Sequence, residues 1–103
     1  MEIIHLEKEE DFKKYIESDI LVDFYANWCG PCKMLANVLE NVDSKIKVLK
    51  VDTDKFDKLA MEYHIMSIPT LCFFKNGLLM RKEIGYRTPE EIKEIYKKIS
   101  NNN

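Results

Sequence analysis

Residues 20–36 constrain this chain more than any other stretch. Ile20 to Ala26 is an apolar run of strand length, broken only by Asp23. Asn27 and Trp28 follow, then Cys29-Gly30-Pro31-Cys32, then an apolar-rich segment that suits a helix to about Asp43. A buried strand therefore feeds a short loop, and the loop carries two cysteines into the first turn of a helix. That placement activates a thiol. The first four N–H groups of a helix have no partners within it, and the helix dipole adds partial positive charge there. A thiolate at Cys29 is stabilised in such a place, so its pKa is expected below the free value of about 8.5. Gly30 is expected to allow a tight turn. Pro31 suits the first helical turn, where a missing N–H costs nothing. Cys32 lies one turn on, near enough to close a small disulfide ring.

Asp23 conflicts with its surroundings. A central strand with crossover helices is covered on both faces, and an unpaired charge buried there is costly. Burial raises a carboxyl pKa and suits it to move a proton near neutral pH. The competing reading places Asp23 on a solvated face or at a turn.

The remaining chain supplies a frame. Glu2 to His5 reads as an edge or second strand, and Glu7 to Ser18 as a surface helix burying Phe12, Tyr15 and Ile16. Ile46 to Val51 reads as a buried strand. Phe56, Leu59, Ala60 and Tyr63 keep the i, i+3, i+4, i+7 spacing of an amphipathic helix, with Asp54 as its N-cap. Thr70–Phe74 and Leu78–Ile84 read as strands joined by an Asn76-Gly77 hairpin. Thr88-Pro89-Glu90-Glu91 opens a last helix, with Thr88 as N-cap and Glu91 as capping-box partner. Its buried face is Ile92, Ile95, Tyr96 and Ile99, and residues 101–103 read as a frayed end. The order βαβαβαββα implies an α/β fold with a mixed sheet and helices on both faces. A chain of 103 residues suits one domain, 1–103, with one core.

Charge and composition narrow the function. Sixteen basic and 18 acidic side chains leave a net charge of −2, which gives no electrostatic case for nucleic acid or an anionic membrane. No apolar run approaches the roughly 18 residues that span a bilayer. The first ten residues lack the basic and apolar regions of a signal peptide, so a cytoplasmic address is expected. In a reducing cytosol a C-x-x-C pair serves catalysis or metal binding rather than scaffolding. Zinc needs about four ligands, and only Cys72, His5 and His64 remain, each alone, which favours redox chemistry. Cys72 reads as a small hydrophobe in a buried strand.

Trp28-Cys29-Gly30-Pro31-Cys32 resembles the active-site motif of the thioredoxin family. Val22-Asp23-Phe24 before it and Lys33-Met34 after it are also similar, and the resemblance extends over essentially the whole chain. It implies the thioredoxin fold and a general protein dithiol–disulfide oxidoreductase acting through Cys29 and Cys32. It further implies that Asp23 lies beneath the disulfide and helps to deprotonate Cys32. Ile68-Pro69-Thr70 resembles the family's triplet with a cis proline beside the disulfide, where the backbone of Ile68 pairs with an extended substrate. Trp28, Gly30, Pro31 and Gly85 would complete the substrate surface; for Gly85 a simple bend is the competing reading. No bound cofactor is implied. Reducing equivalents would come from NADPH through a thioredoxin reductase, the clients would be disulfide-containing proteins, and the protein would act as a monomer.

Four positions depart from the family pattern, of which Ser67 before Ile68 is a variant that also occurs in the family. Tyr25 replaces a tryptophan, and Asn37 stands where a proline often kinks the second helix. Val48 stands where bacterial members often have a lysine close to the aspartate, so nothing near in sequence offsets the charge of Asp23. Two other functions fit the same frame: a thiol oxidase or isomerase, and a non-catalytic binding subunit. Gly30-Pro31 argues against the first, because that dipeptide resembles reducing members, and the intact cysteines argue against the second.

Overall fold

The computed structural model describes residues 2–42 and 45–101. The sheet has five strands: β1 (Glu2–His5), β2 (Ile20–Tyr25), β3 (Lys47–Asp52), β4 (Thr70–Lys75) and β5 (Leu78–Ile84). Their spatial order is β1-β3-β2-β4-β5. β1, β3 and β2 run parallel, and β4 and β5 are antiparallel additions. The helices are α1 (Phe12–Tyr15), α2 (Gly30–Asn41), α3 (Asp57–Glu62) and α4 (Pro89–Asn101).

Strand alternation sorts the core into two layers. Ile20, Val22, Phe24, Leu49, Val51, Cys72 and Phe74 face α1 and α3, where they meet Phe12, Ile16, Phe56 and Leu59. Leu21, Val48, Leu71 and Phe73 face α2 and α4, against Leu35, Leu39, Ile92 and Ile95. Asp23 shares the parity of Leu21, so it lies on the α2 side.

The expected elements are present with altered ends. The first helix is shorter than 7–18: a 3₁₀ turn over Glu9–Asp11 leads into α1, and no side chain caps the turn's start. Ser18 Oγ donates to the Tyr15 carbonyl at 3.1 Å, closing the helix early. α2 runs through Asn37 as one helix and ends at Asn41, because Val42 is already extended. The expected end near Asp43 lies outside the described residues, as do the last two asparagines. Asn101 belongs to α4 rather than to a frayed end. Asp54 is not the cap of α3: that helix begins after Phe56 without a side-chain cap, and Asp54 serves elsewhere. At the hairpin both Asn76 and Gly77 have positive φ, 53° and 82°, as the short turn between β4 and β5 demands.

The start of α4 forms the full reciprocal cap. The Glu91 N–H donates to Thr88 Oγ1 at 3.2 Å, and the Thr88 N–H donates to Glu91 Oε1 at 3.0 Å. These bonds hold the Glu91 carboxyl below its ordinary pKa. Thr88→Ala is expected to lower stability by about 1 kcal/mol in urea unfolding, with little change in redox activity. Unchanged stability would show that solvent replaces the cap.

Candidate active site

The site lies where the parallel strands end and α2 begins. The ends of β2 and β3 are tied together by Thr53, whose N–H and Oγ1 both donate to the Tyr25 carbonyl, at 2.8 and 3.1 Å. From this seam Ala26, Asn27 and Trp28 lead to Cys29, the N-cap of α2. Cys29 and Cys32 form a disulfide with a Cα separation of 5.2 Å. The Cys32 N–H donates to Cys29 Sγ at 3.2 Å. One of the orphan donors of the helix start is therefore aimed at the first sulfur, the arrangement that stabilises a thiolate there. Pro31 occupies the first turn, as expected. Gly30 does not make a left-handed turn: it starts α2, and a Cβ on it would meet nothing within 4 Å. A side chain at Gly30 would project into open space beside the disulfide.

Trp28 is 71% exposed, so it is surface beside the disulfide and not core. Its Nε1 donates to Asp54 Oδ2 at 2.9 Å. The Asp54 N–H in turn donates to Asp52 Oδ1 at 2.9 Å. The sequence signal for this role was an acidic pair at the end of a buried strand, and only the sheet order placed it next to Trp28.

Across the site, Ile68-Pro69 is a cis peptide. The Ile68 carbonyl oxygen lies 3.8 Å from Cys29 Sγ. In the disulfide this sulfur has no proton, so the approach is a contact. Among the described residues, neither the N–H nor the carbonyl of Ile68 enters a backbone hydrogen bond. Gly85 adopts φ 91°, a backbone that favours glycine by itself, and its N–H donates to the Pro69 carbonyl at 2.8 Å.

Asp23 is fully buried in β2. No near neighbour in sequence offsets its charge, but the sheet brings a cation from another strand. Lys50, its register partner in β3, brings Nζ to 3.6 Å from Asp23 Oδ2. The distance makes an ion pair, and neither carboxylate oxygen has a hydrogen bond among the described residues. The same ammonium lies 4.5 Å from the centre of the Tyr25 ring. Burial pushes the Asp23 carboxyl up to about 6, and Lys50 pulls against that rise. A cleft of about 170 Å³ joins Lys50 to Cys32, with Ala36, Tyr25 and Ala26 also in its walls. Tyr25 thus has a use in place of the family's tryptophan, as the ring over which the ammonium sits.

Cys72 lies in the opposite layer, fully buried on β4, and burial pushes its thiol up to about 12. Alkylation of the reduced protein at neutral pH should therefore strike Cys29 first and spare Cys72 until the protein unfolds. Peptide mass mapping after brief iodoacetamide treatment checks this, and early labelling of Cys32 or Cys72 would overturn the order. His5 and His64 enter no metal-binding cluster among the described residues.

A disulfide at the start of a helix, between an exposed tryptophan and Pro69 on this mixed sheet, is the site of a thiol–disulfide oxidoreductase. Comparison with known proteins gives the family. The Thioredoxin family model matches residues 2–98. A thioredoxin of Staphylococcus epidermidis is 45% identical over 95 residues, covering 87% of this chain and 91% of that protein. One from Staphylococcus aureus is 43% identical with the same coverage. Among solved structures, a mutant thioredoxin from Halobacterium salinarum superposes with TM-score 0.89 at 28% identity, covering 99% of this chain and 94% of that one. Reduced Schistosoma mansoni thioredoxin pre-protein gives 0.85 at 30% identity, covering 95% and 98%. The chain belongs to the thioredoxin family, and its activity is protein-disulfide reduction through the Cys29–Cys32 pair.

Proposed function

We propose that Cys29 is the attacking thiol, Cys32 the resolving thiol and Asp23 the proton acceptor for Cys32. The Cys29 thiolate attacks one sulfur of a client disulfide, and the other client sulfur leaves and takes up a proton. Cys32 then loses its proton toward Asp23 and attacks Cys29 Sγ. The mixed disulfide breaks, the client's second thiolate departs and is protonated, and the Cys29–Cys32 disulfide forms. The client gains two electrons and two protons in total. The observation that carries this assignment is the Cys32 N–H aimed at Cys29 Sγ; for Asp23 the support is its ion pair with Lys50, which shares a cleft with Cys32.

Ile68, Pro69, Trp28, Gly30, Pro31 and Gly85 form the client surface in this reading. The unpaired backbone of Ile68 supports strand addition by an extended client segment. One domain, residues 1–103, performs the whole cycle as a monomer in the cytoplasm, contributing to electron transport and redox homeostasis. No cofactor is bound, and NADPH re-reduces the pair through a thioredoxin reductase. Among the described residues no helix is long and apolar enough to cross a membrane.

Equilibrating the protein with glutathione and dithiothreitol buffers tests the direction of the chemistry. The couple should settle near the value of about −270 mV typical of thioredoxins. A value near −120 mV, that of a strong oxidant, would instead support the oxidase reading. Coupling to NADPH oxidation by a bacterial thioredoxin reductase tests the electron source.

A further inference from the structure

The last carbonyls of an α-helix have no partners within it. α3 ends at Glu62, and the chain then passes through left-handed backbone at His64, φ 53°. The Ile65 N–H reaches back to the Ala60 carbonyl at 2.8 Å. The carbonyls of Tyr63 and His64 are both taken by one side chain from a different element. Lys82 Nζ donates to the Tyr63 oxygen at 3.0 Å and to the His64 oxygen at 2.8 Å. Lys82 stands opposite Cys72 in the β4–β5 ladder, on the sheet face that α3 covers. It forms no ion pair with a carboxylate among the described residues, so its donors are directed at the helix end.

Both chain segments that meet at this clamp lead to the disulfide. From His64 the chain runs through Ile65, Met66 and Ser67 to Ile68, whose carbonyl lies against Cys29 Sγ. From Lys82 the strand runs through Ile84 to Gly85, whose N–H holds the Pro69 carbonyl. Between the clamp and Pro69 the loop has few ties of its own. Thr70 Oγ1 donates to the Ser67 carbonyl at 2.7 Å, and Met66 is 91% exposed.

We propose that Lys82 is a positioning residue for disulfide exchange, holding the 65–69 loop against β5 so that the Ile68 backbone is ready to pair with a client strand. The inference rests on the client-pairing role of Ile68 given above. Lys82 bonds to neither sulfur, so its effect falls on client association. Without the clamp the loop must be ordered as the client binds, and that ordering weakens association while leaving sulfur chemistry intact.

Lys82→Met keeps the aliphatic stem and removes the donors, whereas Lys82→Arg keeps donors and charge. Each pre-reduced protein is mixed with insulin at increasing concentration, and separately with 2-hydroxyethyl disulfide, which is too small to pair with Ile68. For Lys82→Met the half-saturating insulin concentration should rise about five- to tenfold, as loss of charged hydrogen bonds allows. Its rate with the small disulfide should stay within about twofold. Lys82→Arg should restore most of the insulin binding, and the amides of Ile65 and Gly85 should exchange faster in Lys82→Met alone.

An equal fall on both substrates would reduce Lys82 to general stability and overturn the proposal. So would unchanged insulin saturation, or an arginine variant as impaired as the methionine one. Should Lys82→Met fail to fold, Lys82→Gln, with a shorter neutral donor, gives the same comparison, and an unchanged half-saturation overturns the idea. If the unmodified protein reduced the small disulfide but not insulin, the functional reading itself would fail, an outcome separate from any effect of the variants.

Discussion

Cys29→Ser should abolish reduction of insulin by dithiothreitol above the uncatalysed rate, a loss of about 10³-fold or more, because the attacking thiolate is gone. Cys32→Ser should behave differently. It retains Cys29 at the N-cap of α2, so attack on a client still occurs and stops at the mixed disulfide. On a non-reducing gel, Cys32→Ser should carry a covalent client adduct that dithiothreitol removes, and Cys29→Ser should carry none. The asymmetry follows from position. The Cys32 N–H supports negative charge on Cys29 Sγ at the N-cap, whereas Cys32 lies inside the first turn of α2. A stable adduct on Cys29→Ser, or none on Cys32→Ser, would reverse the assigned roles.

Asp23→Ala should make the folded protein more stable at neutral pH and slower as a catalyst. The folded carboxyl titrates at about 6, above its ordinary 3.8. Between those values the folded state holds a proton that the unfolded state has released. Stability from this group is therefore complete below about 4, falls as pH rises through the window, and levels off above the folded pKa. The loss across the window is roughly 3 kcal/mol. Alanine removes that penalty but leaves a small void and deprives Lys50 of its partner. The ammonium keeps the Tyr25 ring and the mouth of the cleft, which limits the second cost. The net gain expected at neutral pH is about 1–2 kcal/mol, vanishing or reversing near pH 4. Urea unfolding of both proteins at several pH values measures it. Release of client from the mixed disulfide should slow by about 10²-fold, the lower range for loss of a general base. If Asp23→Ala is less stable at neutral pH and resolves as fast as the parent, Asp23 is a structural partner of Lys50, and the proton-transfer role falls.

Lys50 marks the boundary of what sequence reasoning reached. The apolar run around Asp23 announced a buried charge, because strand parity and burial are written in local order. Its counter-ion was sought at Val48 and missed. Val48 and Lys50 have the same parity on β3, so both point to the α2 face, and parity cannot choose between them. The choice is made by the parallel register, which sets Val48 beside Leu21 and Lys50 beside Asp23. A parallel register is fixed by crossover helices and core packing far from the pair, and so leaves no local mark.

Asp54 gives the same lesson in another form. Before an amphipathic helix it looked like a cap, by a rule that holds when the helix starts at once. Two further residues and the neighbouring end of β2 turned it to Trp28 instead.

By itself the sequence determined the order of elements, the hairpin at Asn76-Gly77, the cap at Thr88 and Glu91, and the cysteine pair at a helix start. All of these depend on side chains within a few residues of one another. The tertiary structure alone decided which cation faces Asp23, which carboxylate holds Trp28, and that Lys82 closes the end of α3. Each of these joins groups between 18 and 27 residues apart in the chain. Such pairs exist only after five strands have been ordered and registered, and the forces that do so are spread over the whole buried core.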